Sequence, residues 1–531
     1  MKNLILSLSL ILLVTNNLSS QVVWENNKSN VYPYLERMAQ RGIINFDDII
    51  IPISREKIIE ALFELKTKET YLNEIEKKEL NFFLKEYDTN NEKNQRWRAI
   101  KIKSKEIELY GDPLIGIKNT FIKNTSIQEM SNGFQLWGVL GSKKNIAFQV
   151  YYRDYTEKGA LDKLDRIYNN EKGFIVLGEK SPKSVNYSDL KANISYKFKN
   201  GQLSFGQNNI LWGIGENSSI VLSDKAPSYP FIRLDYSPLK WLKFNYFNAW
   251  LNSNIIDSNN TYHTNTSGVM GDIRYFYLPK FLASHSITIQ PTKGLQIAIG
   301  ESIVYSDRLD IGFLNPINLF KIYDNNRSNY LINAGSNGQY FFQINSRNQL
   351  KNTHLYASMF IDEIKISSIF DKLKQRNQFG INIGGSITDF TIRYLTIGSE
   401  YTRINPFVYS NLIPAQFYTH YDYNLGDWIG NNADRFIVYA KYSPVPNLKI
   451  YSKFQKIRKG GAGTINQQYF AQPQPSFLFD YQKTLSSIII STTYEWINNL
   501  YFIGSFESVV DKTNAENNKY SKFQFGISYG F

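Results

Sequence analysis

Between residues 404 and 433 the chain gathers Phe407, Tyr409, Phe417, Tyr418, Tyr421, Tyr423 and Trp428 among Asp422, Asp427, Asn431 and Asn432, with Asp434 just beyond. Flat aromatic faces cover the C–H patches of sugar rings, and carboxylates and amides can bond paired hydroxyls. Residues 307–337 add Tyr323-Asp324-Asn325-Asn326-Arg327 and Tyr330, and the Arg327 guanidinium could pair with an acidic sugar. Residues 208–228 hold Leu211-Trp212-Gly213-Ile214-Gly215-Glu216, followed by Ser218, Ser219 and Ser223. This mixture suits polysaccharide binding. Trp428, Tyr421, Asp427 and Arg327 are the central candidates, with Trp212, Tyr418, Tyr323, Asp324, Asn431 and Asp434 beside them. Aromatic segments that fold inward and only pack would look the same.

Catalytic chemistry finds less support. His263, His285, His354 and His420 have no HExxH spacing and no cysteine partners. There is no G-x-S-x-G elbow and no phosphate loop, so the sequence implies no metal and no cofactor. Asp362-Glu363 and Glu301 are carboxylates on strand-like segments. Glu301 shares its register with Ile297, Ile299, Ile303 and Tyr305, and a charge on a lipid face is costly. It is therefore expected near a barrel rim, or beyond a bulge that turns it inward. A paired-carboxylate site built from distant strands stays open; a lumen ion pair with Arg or Lys is the simpler reading.

The elements that must position these residues read as strands. From Tyr520 onward, Phe523, Phe525, Ile527, Tyr529 and Phe531 share one face, and Lys522, Gln524, Gly526, Ser528 and Gly530 the other. Period two means a strand with one apolar face. A strand of this kind ending in an aromatic resembles the closing strand of bacterial outer-membrane barrels, with Phe531, Tyr529 and Phe525 as the signal for the β-barrel assembly machinery. At the other end, Lys2 precedes the apolar run Leu4 to Val14, and Thr15 to Ser20 follow. That order is expected of a secretory signal, residues 1–20, too short to span a membrane. The absence of cysteine leaves neither disulfides nor a lipid-anchored cysteine.

Composition agrees with an antiparallel, all-β transmembrane barrel. At 531 residues and a mean hydropathy of −0.35 the chain is too polar for helical spans. A barrel tolerates that polarity because alternate strand residues face a wet lumen. The 37 Tyr and 35 Phe would supply girdles at two membrane interfaces. The net charge of +13 suits acidic lipopolysaccharide or an anionic glycan, and equally a Lys/Asn/Ile-rich proteome. Nucleic acid is a poor partner for an exported barrel.

Two regions follow, 21–95 and 96–531. The first is expected to be a small periplasmic bundle of helices. Val31 to Gln40 ends at Gly42, Ser54 caps a stripe of Ile58, Ile59, Leu62 and Leu65, and Asn73 caps one of Leu80, Phe83, Leu84 and Tyr87. In the second, tight turns are expected at Asn200-Gly201, Ser237-Pro238, Pro291 to Gly294, Asn348 to Asn352, Thr388-Asp389, Ser443 to Asn447 and Asn498-Asn499. Long segments between them (154–187, 208–228, 252–281, 307–337, 404–433 and 457–483) are expected as extracellular loops. Counting back from Phe531 gives eighteen strands, with 271–283 left in a loop.

The sequence also resembles the capsule assembly Wzi family, in the form common among Bacteroidetes-like bacteria. The resemblance runs over most of the mature chain. It rests on Val31-Tyr32-Pro33-Tyr34-Leu35 through Gly42-Ile43-Ile44, Ser54-Arg55, Gly206 to Ser223 with Trp212-Gly213-Ile214-Gly215, and Ser284-His285 with Gly300-Glu301-Ser302. Phe360-Ile361-Asp362-Glu363 and Leu425 through Asp434 complete it. Ile214 stands where the family often has Pro. The resemblance implies an eighteen-stranded barrel with a periplasmic helical bundle, a lectin holding capsular or extracellular polysaccharide at the surface, and no catalysis. The rivals are a porin-like channel, told apart by whether loops and bundle close the lumen, and an outer-membrane polysaccharide-modifying enzyme. A TonB-dependent transporter fits poorly, because the helical region is short for a plug domain.

Overall fold

The computed structural model describes residues 22–159, 166, 169–175, 184–264, 271–331, 335–371 and 373–530. The expected signal segment and Phe531 lie outside them. Three helices open the described chain: α1 (Val31–Gln40), α2 (Arg55–Thr67) and α3 (Glu74–Tyr87). α2 and α3 start where a polar side chain takes an orphan backbone N–H. The Ser54 hydroxyl accepts from the Lys57 N–H, and Asn73 and Glu76 form a reciprocal capping box. After α1, Gly42 takes the left-handed φ of +72°. Tyr34, Leu35, Met38, Ile58, Leu62, Leu80 and Phe83 are buried together, so the three amphipathic faces form one small core.

Among the described residues, eighteen long antiparallel strands close a barrel. They are β1 (Ile107–Ile122), β2 (Thr125–Leu140), β3 (Ile146–Gly159), β4 (Ser184–Phe198), β5 (Gly201–Asn208) and β6 (Tyr229–Leu239). Next come β7 (Leu242–Ile256), β8 (Tyr277–Thr292), β9 (Leu295–Ser306), β10 (Asn337–Arg347), β11 (Thr353–Glu363) and β12 (Gln378–Thr388). The last are β13 (Leu395–Ile404), β14 (Ala433–Tyr442), β15 (Leu448–Lys459), β16 (Lys483–Ile497), β17 (Leu500–Thr513) and β18 (Asn517–Tyr529). β18 closes on β1 through Phe525 opposite Asn119 and Ile527 opposite Ile117, so the eighteen long strands form a ring. Phe523, Phe525, Ile527, Ile117, Ile299 and Ile488 project outward into an apolar band. The barrel belongs to the bacterial outer membrane.

Local departures from the expectations have local causes. The hairpin at Asn200-Gly201 turns one residue earlier: Phe198 pairs with Gly201, and Asn200 itself takes the positive φ of 67°. Ser237-Pro238 is no turn. β6 runs on to Leu239, and a register shift between Leu242 and Phe244 accommodates Pro238, whose missing N–H would break a regular ladder. Residues 277–283, expected in a loop, extend β8 along Ile256 to Asn248, so no strand is added and the even count stands.

The bundle covers the end of the barrel that carries the short turns. Arg37 pairs with Asp389 at 2.8 Å, Asp48 with Arg347 at 2.7 Å, and Asp47 with Lys243. The Gln40 amide donates to the Asn352 carbonyl at 3.0 Å, and Lys293 donates to the Gly42 carbonyl at 2.8 Å. On α3, Glu79 pairs with Lys449, and the Phe82 carbonyl accepts from Asn498 at 3.0 Å. At the end of α3, Glu86 meets Arg55, Arg96 and Arg98. Burial alone would raise its carboxyl, but Arg96, Arg98 and Arg55 hold it well below the usual carboxylate range.

Candidate functional site

Two long loops turn back from the opposite end of the barrel into its lumen. The segment between β5 and β6 reaches furthest. The Trp212 N–H donates to the Leu222 carbonyl at 2.8 Å, and the Gly213 N–H donates to the Ile49 carbonyl at 3.0 Å. Trp212 and Leu211 pair with Ile50 and Ile51, the two-residue strand between α1 and α2. The loop therefore meets the bundle inside the barrel. Its Ile210, Trp212, Ile214, Ile220, Val221 and Leu222 are buried in one core with Phe247, Leu282, Val304, Phe341 and Phe360 of the inner wall. Large apolar side chains of this kind gain about 1.5–3 kcal/mol each when removed from water, which drives the loop inward.

The segment between β13 and β14 packs on top of it. Tyr409 and Tyr418 stack at 5.6 Å and donate their hydroxyls to the carbonyls of Ile220 (2.7 Å) and Val221 (2.8 Å). The Ser223 N–H donates to the Leu425 carbonyl at 2.6 Å. Arg435 of β14 and Asp427, both buried, form a bidentate pair at 2.9 and 3.3 Å, and Ser218 donates to the same carboxylate at 2.6 Å. The Arg435 guanidinium also lies 5.5 Å from the Trp428 ring. Asp434 accepts from Arg458 Nε and the Tyr401 hydroxyl, each at 3.0 Å.

The structure thus redistributes the residues singled out above. Trp212, Tyr418 and Asp427 do not lie on an exposed surface: they are inside the barrel, because their loops carry enough apolar area to prefer it. Asp434 is buried at its Arg458 pair, and Asn431 donates to the Ala462 carbonyl at 3.2 Å. Tyr421 and Trp428 remain half-buried at the edge of the lumen core. Arg327, Tyr323 and Asp324 belong to a separate assembly on the outer wall. There Tyr323 donates to Asp310 at 2.7 Å, Arg327 pairs with Asp310 at 3.2 Å, and buried Asp324 accepts the Ser336 N–H. Two neighbouring loops do not make one surface.

An exposed group missed in the sequence lies beside Tyr421. Asp422 accepts from Asn254 at 2.6 Å, tying the loop to the end of β7. Exposed Tyr262 and Phe276 face each other at 6.1 Å, with the Arg274 guanidinium 5.4 Å from the Phe276 ring. The signal was the aromatic run Tyr275-Phe276-Tyr277, within the 271–283 segment expected as a loop.

Below the folded-in loops, next to the bundle, is a cavity of about 470 Å³. Pro33 and Glu36 of α1, Gly213 to Asn217, and Tyr356, Tyr439, Lys441 and Tyr451 line it. Its polar groups are largely engaged. Glu216 pairs with Lys441 at 2.6 Å, Tyr356 donates to Glu400 at 2.8 Å, and Asn217 donates to the Tyr451 hydroxyl at 2.8 Å. Burial pushes the Glu36 carboxyl up to about 6 against the pull of Lys441.

No protein-family model and no curated protein matches the sequence. Among solved structures, the chain is similar in fold to Wzi, an outer-membrane protein involved in group 1 capsule assembly in Escherichia coli and a carbohydrate-binding β-barrel. The TM-score is 0.59 at 13% identity, over 96% of this chain and 100% of that one. OccD1 (OprD) aligns over 81% of this chain and 96% of its own at 10% identity, with a TM-score of 0.45. OccAB4 of Acinetobacter baumannii aligns over 80% and 97% at 10% identity, with a TM-score of 0.44. At these identities the likeness to Wzi speaks for the fold alone.

Proposed function

We propose that this barrel binds exported capsular or extracellular polysaccharide and anchors or organises it at the cell surface. In this reading the long loops face outward, and residues 21–95 form a periplasmic bundle. The carrying observation is the obstructed lumen: the β5–β6 loop, hydrogen-bonded to the β13–β14 loop, meets the bundle's own strand at Ile50. A pore of 16 to 18 strands would leave an aqueous channel, whereas here loops packed on the inner wall from β6 to β15 occupy part of that space. The fold likeness to a carbohydrate-binding barrel supports the same reading. Held from beneath, Tyr421 and Asp422 form a platform with Asn254, Tyr262 and Phe276, while Trp428 sits half-buried by Arg435 farther along the same loop, and exposed aromatic and polar groups of this kind suit a polymer met edge-on.

A deletion strain stained for cell-bound and shed polysaccharide tests the role. Tyr421→Ala with Trp428→Ala should release polysaccharide into the medium at unchanged amounts of heat-modifiable barrel, while Arg327→Ala alone should release little. Full retention by the double variant would remove the platform. Stable conductance of the parent protein in planar bilayers would favour a channel instead.

A further inference from the structure

The loop between β9 and β10 does not join the others in the lumen. It folds back over the outside of the barrel as two short helices, α4 (Ile311–Leu314) and α5 (Phe320–Leu331). Phe313 and Phe320 are buried against Tyr246, Phe281, Ala283, Ile303 and Tyr305. The sequence neighbours of those wall residues, Phe247, Leu282 and Val304, belong to the lumen core. Side chains alternate across a strand, so the first set faces outward.

The segment is fastened there by polar groups. Glu301, outward between Ile299 and Ile303, accepts the N–H groups of Phe320 (3.0 Å) and Lys321 (2.6 Å) at the start of α5. Across the strand, His285 lies 3.4 Å from Glu301, stacks on Phe320 at 4.4 Å, and bonds the Pro316 carbonyl at 2.9 Å. Tyr246 donates to the Phe313 carbonyl at 3.0 Å. Glu301 is thus neither at a rim nor turned inward by a bulge. It faces the lipid side and is covered.

What the segment shows to its surroundings is apolar at one end and polar at the other. Ile311 (83% exposed), Ile317 (79%), Leu319 and Ile322 project away from the wall close to Glu301. There they continue the outward band of Ile287, Ile299, Tyr340 and Phe342. Exposed Asn325 and Asn326 follow along α5 as the chain climbs back to the end of the wall. That gradient matches a membrane leaflet, apolar in depth and polar toward the headgroups. We infer that residues 309–326 form a lipid-binding flap, seated in the outer leaflet with Ile311, Ile317, Leu319 and Ile322 among its acyl chains.

The sequence has no cysteine, so single introduced cysteines report cleanly. Full-length protein labelled with an environment-sensitive fluorophore at I311C, I317C or N326C is reconstituted in phosphatidylcholine vesicles, with and without brominated chains. The first two should show blue-shifted emission and several-fold quenching by bromine, and N326C little of either. In an E301A background the quenching at I317C should fall while the barrel stays heat-modifiable. Water-like, unquenched emission at I317C would overturn the inference. So would a disulfide between two copies at I317C without bromine quenching, since a second copy would then cover the face. Neither result bears on polysaccharide retention, which is measured separately.

Discussion

Two loops of similar make-up, 307–336 and 405–432, take opposite sides of the barrel wall. Both mix aromatic residues with Asp, Asn and Arg partners. The second sends Val408, Tyr409, Tyr418, Leu425 and Ile429 into the lumen, where the β5–β6 loop has already brought an apolar surface. The first has Phe313 and Phe320 to bury, and beside its own strand lie Glu301 and His285 on the lipid face. A polar pair in that position is costly unless covered, and the two backbone N–H groups of α5 cover it. A loop's direction here follows from where the uncovered groups are, on the inner wall or the outer.

The largest effect expected on this contrast comes from Arg435→Ala. It leaves the buried Asp427 carboxylate without its counter-charge, at a cost of about 3–5 kcal/mol. The inner loops should loosen, visible as a lowered heat-modifiability midpoint and as new conductance steps in planar bilayers. An unchanged midpoint and a silent bilayer would mean that the pair does not hold the loops.

Glu301→Ala should cost less, about 1–3 kcal/mol for the buried Phe320 N–H, because the part-buried Lys321 N–H can regain water. It should expose Lys321 to trypsin without opening any conductance, because the outer flap does not line the lumen. Conductance in this variant would mean that the two loops are coupled through the wall.

The smallest effect belongs to the cavity beneath the inner loops. Between about pH 4.5 and about pH 6 the folded protein holds the Glu36 proton more tightly than the unfolded chain does, so ionisation costs stability as pH rises through that window. Glu36→Gln should therefore raise the unfolding free energy above about pH 6, by under about 2 kcal/mol, and leave it unchanged below about pH 4.5. A gain at low pH, or none at high pH, would contradict the burial of this carboxyl. Glu86 runs the other way. Its arginine partners stabilise the bundle at neutral pH, and that contribution is lost as pH falls through the carboxylate range.

Period-two alternation along strands such as β18, the capped 3.6-residue stripes of α2 and α3, and the spacing of turn residues determined the architecture from sequence. These are local signals: each strand declares its lipid face by itself, and Ser54 and Asn73 cap helices within three residues of themselves. The destinations of the loops were decided only in three dimensions. Trp212, Tyr418 and Asp427 read as exposed binding residues because their partners, Phe341, Val221 and Arg435, lie on other elements. Glu301 read as a misplaced charge because the N–H groups that satisfy it come from a helix about twenty residues on, placed by packing on β7 and β8. Strand faces follow from the backbone period, but a loop buries itself wherever the assembled wall offers apolar area and unpaired polar groups.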